Sequence, residues 1–191
     1  TGDGITKENL KTVEDDFLKL LENLNNIFEK RKFLFGNRPS IADIGFSGPF
    51  FRHFALDPVP LEIIRQKAPN VLSWVSNLWN AKVSKIDDDF EEGIPKDLEP
   101  LFREIGIVYL PYLSANVEAV KQNKAKFNFK FGNVFLKNAR YSPYRVWCLK
   151  ELRDRYSKLE EKEKTQVEIL LKELGCWEPL WRDKNLPLMD N

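Results

Sequence analysis

The sequence contains only two cysteines and a single histidine among its 191 residues. Two cysteines, Cys148 and Cys176, are too few for the disulfide framework of a small secreted domain, and no Asn-x-Ser/Thr glycosylation sequon occurs. With one histidine and no cluster of cysteines, no metal site is predicted. The low cysteine content favours a reducing compartment, so we expect an intracellular protein, with the cytoplasm as the first location and an organelle as the second.

Long apolar runs and an excess of charge of one sign are missing as well. No stretch of about 18 apolar residues occurs, so no membrane span is predicted. The 30 lysines and arginines balance 29 aspartates and glutamates to a formal charge of +1, which argues against a dedicated nucleic-acid or polyanion binder. Hydrophobic residues make up 42% of the chain. We therefore expect one globular domain with an appendage.

Apolar residues at helical spacing predict an all-α core in the first half of the chain. They recur at i, i+3, i+4 and i+7 over residues 10–28, and Gly36 ends this pattern. Ser40 and Asp43 then have the spacing of an N-capping box, in which each side chain accepts a hydrogen bond from the other residue's backbone amide. The helix that follows carries Gly48-Pro49 in its interior, where we expect a kink.

The pattern changes in the second half. The acidic residues 87–93 show no apolar period and are expected to form an exposed loop, so we divide the chain into a helical core, residues 1–86, and a helical extension packed on it, residues 87–191. Apolar and polar residues alternate from 126 to 131, and Gly132-Asn133 supplies a tight turn. This pattern predicts a small β-hairpin near residues 126–138. Further helices are expected after Ser142 and over residues 160–174.

Residues 121–150 combine eight lysines or arginines with phenylalanines and tyrosines and contain no acidic residue. Cations and aromatic rings together are typical of single-stranded nucleic-acid binding. Alternating phenylalanines more often form the buried face of a strand whose lysines are solvated, and the overall charge is balanced. We therefore expect a solvated face or a patch for an anionic protein, and nucleic acid is the less favoured partner.

Three motifs carry a resemblance to a known family: Phe33-Leu34-Phe35-Gly36, then Pro39-Ser40-Ile41-Ala42-Asp43, then Ala68-Pro69-Asn70-Val71-Leu72-Ser73-Trp74. Their order and spacing resemble F-L-x-G, S/T-x-A-D and P-N-L-x-x-W in the helical C-terminal domain of the glutathione S-transferase superfamily. Residues 141–182 and the Gly48-Pro49 pair are similar to larger bacterial-type members with an extended C-terminal tail. The resemblance implies an all-α bundle of the glutathione-transferase C-terminal type, in which Ser40 and Asp43 organise the central helix and have no catalytic role.

In this superfamily a thioredoxin-like domain precedes the helical domain and binds glutathione, and the residues before Leu10 are too few to encode one. We therefore expect the chain to start inside the helical domain of a longer protein. The resemblance implies that the chain is the helical half of a glutathione transferase. Such a half offers an apolar wall to the electrophile and makes subunit contacts, so a homodimer is one expected form. Glutathione is then a co-substrate of the whole protein, and no cofactor belongs to this chain. The alternative is a non-catalytic scaffold that binds other protein subunits.

No catalytic residue is predicted, and the 191 residues alone are not expected to form an enzyme. The candidates for substrate binding are Arg52, His53, Trp147 and Trp177. Each also has a structural interpretation, since the first two can lie on a helix surface and the tryptophans can pack in a core. Cys148 is expected inside the core, and Cys176, which follows a helix-ending glycine, is expected to be accessible.

Overall fold

The computed structural model describes residues 5–85, 90–132 and 134–187. In chain order the elements are α1 (Leu10–Lys30), α2 (Ile41–Pro49), α3 (Pro58–Lys67), α4 (Pro69–Trp79), α5 (Glu99–Glu104), α6 (Leu110–Lys121), β1 (Lys126–Phe131), β2 (Val134–Arg140), α7 (Pro143–Ser157), α8 (Glu161–Glu173) and α9 (Trp177–Trp181). Two π-helical turns, Phe50–Phe54 and Ile105–Tyr109, follow α2 and α5. The expected all-α architecture with one small hairpin is confirmed. In the described part of the chain, no helix combines the length and apolar character needed to cross a membrane.

The chain divides into two compact units. The central unit is Asp15–Pro100, and the terminal unit combines Thr1–Glu14 with Leu101–Asn191. The boundaries between the units fall inside α1 and inside α5. The division that the sequence suggests, between residues 86 and 87, lies outside the described residues and stays a prediction.

The core of the central unit forms around Trp74, which is almost completely buried. The ring of Phe28 in α1 stacks on the Trp74 ring at 5.0 Å, and the ring of Phe50 meets it edge-on at 5.3 Å. Aromatic pairs of this kind contribute roughly 0.5–1.5 kcal/mol beyond the area they bury. Aliphatic side chains from α1, α3 and α4 complete this core: Leu21, Leu24, Ile27, Ile64 and Val71.

A second core lies in the terminal unit, where residues of α6, α7 and α9 pack together. Its buried members are Leu110, Leu113, Val117, Val146, Leu149, Leu174, Cys176 and Leu180. The buried Asn116 ties α6 to the start of α7, because its side chain donates to the Ser142 carbonyl at 2.9 Å and accepts from the Ser142 amide at 2.7 Å. Both polar ends of the buried amide are thus satisfied, which removes the free-energy cost of burying it unpaired.

The predicted hairpin is present, with β1 antiparallel to β2 and an irregular register between Phe127 and Phe129. The ring of Tyr112 in α6 contacts the rings of Phe127 and Phe129 at 5.5 and 5.3 Å. The lysines of β1 are exposed, so this strand has an aromatic face against α6 and a cationic face toward solvent. Asn133 of the predicted turn lies outside the described residues.

The N-terminal segment of the chain reaches β2. The side chain of Asn9 donates to the backbone carbonyl of Phe135 at 2.9 Å and accepts from the amide of Thr6 at 2.8 Å. A side-chain donor from the N-terminal segment thus reaches the backbone of β2. Thr6 and Asn9 therefore belong to the terminal unit, although most of that unit is far from them in sequence.

The kink expected at Gly48-Pro49 takes the form of a change in helix type. Pro49 ends α2, and in the π-helical turn after it the amide of Ala55 donates to the carbonyl of Phe50, five residues earlier, at 2.9 Å. Proline has no amide hydrogen, so the α-helical ladder loses a donor at this point. The wider turn begins where that donor is missing.

The expectation that Cys176 is accessible is wrong. Gly175 adopts a left-handed φ of +72°, which turns the chain back onto α8, and the Cys176 amide donates to the Leu171 carbonyl at 2.8 Å. The Cys176 side chain is buried, and its Sγ donates to the carbonyl of Phe102 at 3.1 Å. Burial raises the pKa of the Cys176 thiol. Cys148 is only partly buried.

Arg31 joins α1 to the chain before α5 within the central unit. Its guanidinium is buried and donates two hydrogen bonds to Asp97, at 2.9 and 2.7 Å, while its Nε donates to the Leu34 carbonyl at 3.0 Å. The hydrogen bonds from Arg31, opposed by burial and aided by Lys30, hold the pKa of Asp97 below its ordinary value of 3.8.

Replacement Asp97→Asn is expected to lower the free energy of unfolding by about 2 kcal/mol, because it leaves the buried Arg31 guanidinium without its charged partner. A carboxyl group whose pKa is depressed by folding contributes stability above its unfolded-state pKa and loses that contribution as the pH falls through the folded value. Urea unfolding should thus show the full difference between wild type and variant at neutral pH and a shrinking difference below about pH 4. A difference that is independent of pH would contradict this role.

Candidate functional site

The structure places four hydrogen bonds on the fully buried carboxyl group of Asp43. Oδ1 accepts from the amide of Leu34 at 2.9 Å and from the indole Nε1 of Trp74 at 2.9 Å. Oδ2 accepts from the Ser40 amide at 2.8 Å and from the Ser40 hydroxyl at 2.6 Å. We call Asp43, Ser40, Leu34 and Trp74 the Asp43 node. It connects the loop after α1, the start of α2 and the middle of α4.

The N-capping box lies inside this node. The Asp43 amide donates to the Ser40 hydroxyl oxygen at 3.3 Å, and the Asp43 side chain accepts from the Ser40 amide, so both hydrogen bonds of the box are present. Ser40 has an extended backbone, as an N-cap residue requires. All the acceptor capacity of the carboxyl group is used within the protein, so the geometry suits an anchor for the loop and does not suit an acid or base acting on a substrate.

The loop that Asp43 holds is closed by a short backbone pairing. Phe33 and Gly36 form an isolated β-bridge, and Gly36, with a left-handed φ of 125°, also bridges Phe90. The guanidinium of Arg38 lies 5.2 Å from the centre of the Phe90 ring. The described part of the acidic segment, residues 90–93, is therefore attached to the central unit at its first residue, and residues 87–89 lie outside the described part.

Arg52 and His53, two predicted substrate residues, lie side by side in the π-helical turn after α2. Both are exposed, and the Nδ1 of His53 is 3.6 Å from a carboxyl oxygen of Asp57, one helical turn further on. This pairing is of the kind that contributes little to stability at an exposed site. Both side chains are open to a ligand or to another chain.

The two predicted tryptophans lie in the terminal unit in different surroundings. Trp147 is half exposed and stacks on Tyr144 at 5.5 Å, with the two planes only 19° apart. Trp177 instead meets Tyr156 and Trp181 edge-on, at 5.3 and 5.6 Å, and Tyr156 and Trp181 also contact each other at 5.6 Å. The structure thus does not place Trp147 and Trp177 in one aromatic cluster.

Arg153 fastens the aromatic cluster to the end of α9. Its guanidinium donates to the carbonyls of Leu180 and Asp183, at 2.6–2.9 Å, and lies 5.3 Å from the centre of the Trp181 ring. Burial lowers the pKa of Arg153, while the nearby charge of Asp183 opposes this effect. The carbonyls at the C-terminus of a helix carry partial negative charge, so a guanidinium here stabilises the tail. Trp177 therefore belongs to a packed docking site for the tail.

Sequence analysis did not identify an exposed apolar face on α2. Ile41 and Ile44 are 72% and 63% exposed, and Gly45 and Gly48, at the same helical spacing, are exposed as well. We call these four residues the apolar α2 face. Their spacing of three, four and seven residues marks one side of a helix. Phe50, which follows α2 directly, is instead buried.

Two further rings lie beyond the end of the apolar α2 face. Phe51 is half buried and contacts Trp79 edge-on at 5.2 Å, while Trp79 is 73% exposed. An apolar helix face together with a large exposed ring is typical of a surface that another domain or a ligand covers. Among the described residues, no three histidines, cysteines or carboxylates come together as a metal site.

Comparison with known proteins finds a similarity in the first part of the chain. Residues 4–81 match the family model described as "Glutathione S-transferase, C-terminal domain". Comparison with curated proteins and with solved structures gives no significant match. The matched residues contain the Asp43 node, the apolar α2 face and the helices α1 to α4, whereas the hairpin and α5 to α9 lie beyond the match.

Proposed function

We propose that the protein, whose residues 4–81 match the family model of the glutathione S-transferase C-terminal domain, is the helical half of a glutathione-transferase-like protein. Its complement is a thioredoxin-like domain that binds glutathione and lowers the pKa of the glutathione thiol, so that the thiolate is the nucleophile. The helical half supplies an apolar wall that holds the electrophile against that sulfur and contributes subunit contacts. Holding two reactants together in this way accelerates their reaction.

The apolar α2 face is the observation that carries this proposal. Two isoleucines more than 60% exposed on one helix side, next to glycines that let another backbone approach closely, favour a packing partner. Ile41 follows directly on Ser40, so the Asp43 node fixes the direction in which this face points. We assign the face to the thioredoxin-like domain.

The substrate wall is assigned to the rings next to this face. Phe51 and Trp79 offer apolar surface, and Arg52 and His53 lie in the same π-helical turn as Phe51 and offer polar groups to a substrate. These two predicted substrate residues are kept in the proposal. Trp147 is kept as a candidate because half of its side chain is exposed, but it ranks below Arg52 and His53. Trp177 is assigned a structural role in docking the tail.

The experiment uses the complete gene product from start to stop codon, assayed for conjugation of glutathione to chlorodinitrobenzene. Replacement Ile44→Glu is expected to lower the rate at least about tenfold, because a charge buried in a domain interface costs more than the 1.4 kcal/mol that corresponds to a factor of ten. The matched control is Val59→Glu, which introduces the same charge at a similarly exposed residue of α3. The control should stay within about twofold of wild type.

Two outcomes contradict the proposal. A complete gene product without glutathione conjugation shows that the protein is not a transferase, and capture of a protein subunit that depends on Ile44 then establishes the alternative, a scaffold of glutathione-transferase-like fold. Equal rates for Ile44→Glu and Val59→Glu show that the apolar α2 face is not the domain interface.

A further inference from the structure

One face of the hairpin in the terminal unit carries several cations, and neither strand contains an acidic residue. Lys126, Asn128 and Lys130 alternate with the inward phenylalanines of β1, and Phe135, Lys137 and Arg140 are among the exposed residues of β2. We call these six residues the cationic hairpin face. It lies outside the residues that match the transferase family, and it is independent of the function proposed above.

The strand register places like charges opposite each other on this face. Lys126 pairs with Arg140, and Lys130 pairs with Phe135. Like charges directly opposite across two strands destabilise a hairpin, so the hairpin keeps Lys126 and Arg140 together at a cost in stability. Carboxyl groups of a bound molecule would turn this repulsion into attraction.

Several surface cations in the helices of the terminal unit are neutralised by acids, in contrast to those of the hairpin. Five cations on α6, α7 and α8 pair with acids three or four residues away on the same helix: Lys121, Lys150, Arg155, Lys164 and Lys172. None of the described carboxyl groups lies within ion-pair distance of Lys126, Lys130 or Arg140. The pKa of Glu8 is lowered mainly by a hydrogen bond with Thr6, and the charge of Lys137 contributes to this lowering. The hairpin thus keeps most of its charge available.

A groove runs beside this face between β1 and α6. Its volume is about 440 Å³, and its polar lining includes Gln122, Lys124, Asn128 and Asn138. Lysine and amide side chains donate hydrogen bonds that carboxyl and carbonyl oxygens accept. Glu118 on the α6 wall is already paired with Lys121. The groove therefore extends the cationic hairpin face with further donors.

We propose that the cationic hairpin face binds an acidic, extended segment of a partner protein. In an extended chain, side chains two positions apart point to the same side, as the cations of β1 do, so alternating acids match their spacing. Nucleic acid is less suited, because bases need open aromatic faces. Phe135, Tyr144 and Trp147 are exposed, but each of their rings has one face occupied. The Nζ of Lys137 lies 5.8 Å from the centre of the Phe135 ring, and the rings of Tyr144 and Trp147 stack on each other.

The test measures binding of the purified full chain to fluorescent peptides by anisotropy. One peptide alternates glutamate with threonine, and its control has the same composition with the glutamates in one block. The alternating peptide is expected to bind more tightly, and raising salt from about 0.1 M to 1 M should abolish binding because the screening length falls from about 10 Å to about 3 Å. Single-stranded poly-uridylate is the competing probe.

The variant Lys126→Glu/Lys130→Glu is expected to weaken peptide binding about tenfold or more, since it removes two attractions and adds two repulsions. Lys158→Glu/Lys162→Glu changes the net charge equally at exposed positions away from the hairpin and should leave affinity within about twofold. Circular dichroism checks that both variants fold. Equal loss in the two variants, tighter binding of poly-uridylate, or no binding of the alternating peptide overturns the proposal. The last result would assign the lysines a different role, in which their charge prevents the edge of the hairpin from pairing with strands of other chains.

Discussion

Replacement Asp43→Ala is expected to lower the free energy of unfolding of the central unit by about 4 kcal/mol or more. It leaves the amides of Leu34 and Ser40 and the indole nitrogen of Trp74 without an acceptor, two of them in the buried core. Each buried donor left unpaired costs about 1–3 kcal/mol. Since a domain has roughly 5–15 kcal/mol of stability in total, the variant should be largely unfolded in mild urea, as followed by near-ultraviolet circular dichroism.

Two companion variants separate the Asp43 node from a general loss of charge. Glu22→Ala removes an exposed acid from α1 and should cost less than about 0.5 kcal/mol. Trp74→Phe removes one of the four hydrogen bonds and some core volume, and should cost less than Asp43→Ala. In the double variant the two losses should not add, because both share the bond between Nε1 and Oδ1. A loss for Asp43→Ala as small as for Glu22→Ala contradicts the assigned role.

Replacement Gly106→Ala is expected to destabilise the terminal unit by about 3 kcal/mol. A Cβ atom at Gly106 would lie 2.6 Å from the carbonyl oxygen of Gly175 and 3.0 Å from its carbonyl carbon. These are backbone atoms of the turn that carries Cys176 into the core, so they move only if α9 moves as well. Overpacking of this kind costs about 1–3 kcal/mol where side chains yield, and the backbone contact places this site at the upper end. Thermal unfolding measures the loss.

Gly45→Ala is the matched control for this substitution. Gly45 lies in α2, and a Cβ atom there would meet no atom within 4 Å. Alanine is favoured over glycine inside a helix by roughly 0.5–1 kcal/mol, so this variant should be slightly more stable than wild type. The same chemical change thus has opposite expected signs at the two positions. Equal stability of the two variants contradicts the close packing of Gly106 on Gly175.

Local signals account for what the sequence predicted well. The spacing of Ser40 and Asp43 describes a contact over three residues, and the alternation of Phe127, Phe129 and Phe131 describes one strand, so both patterns are complete within a short segment. The structure has the capping-box hydrogen bonds and the hairpin at these places. Such features depend on backbone geometry that neighbouring residues determine by themselves.

Contacts between distant residues account for what sequence analysis missed. The bond from Trp74 to Asp43 joins positions 31 residues apart, and nothing near Asp43 indicates that the indole reaches it. Cys176 was misjudged for the same reason, since its burial depends on Phe102 and on the docking of α9. The helical spacing of Ile41 and Ile44 indicates an apolar helix side, but the neighbouring phenylalanines indicate a second and more apolar side. Which of two apolar sides is buried is decided by tertiary packing.

The hydrogen bond between Asn9 and Phe135 has a consequence for synthesis on the ribosome. It joins residues 126 positions apart, so the segment around Asn9 cannot take its place in the terminal unit until β2 has been synthesised. The central unit, Asp15–Pro100, has all its residues by the time Pro100 is added. During translation the nascent chain can therefore complete residues 15–100 before Asn9 finds its partner, and the segment around Asn9 stays accessible to chaperones and proteases until the hairpin has been made.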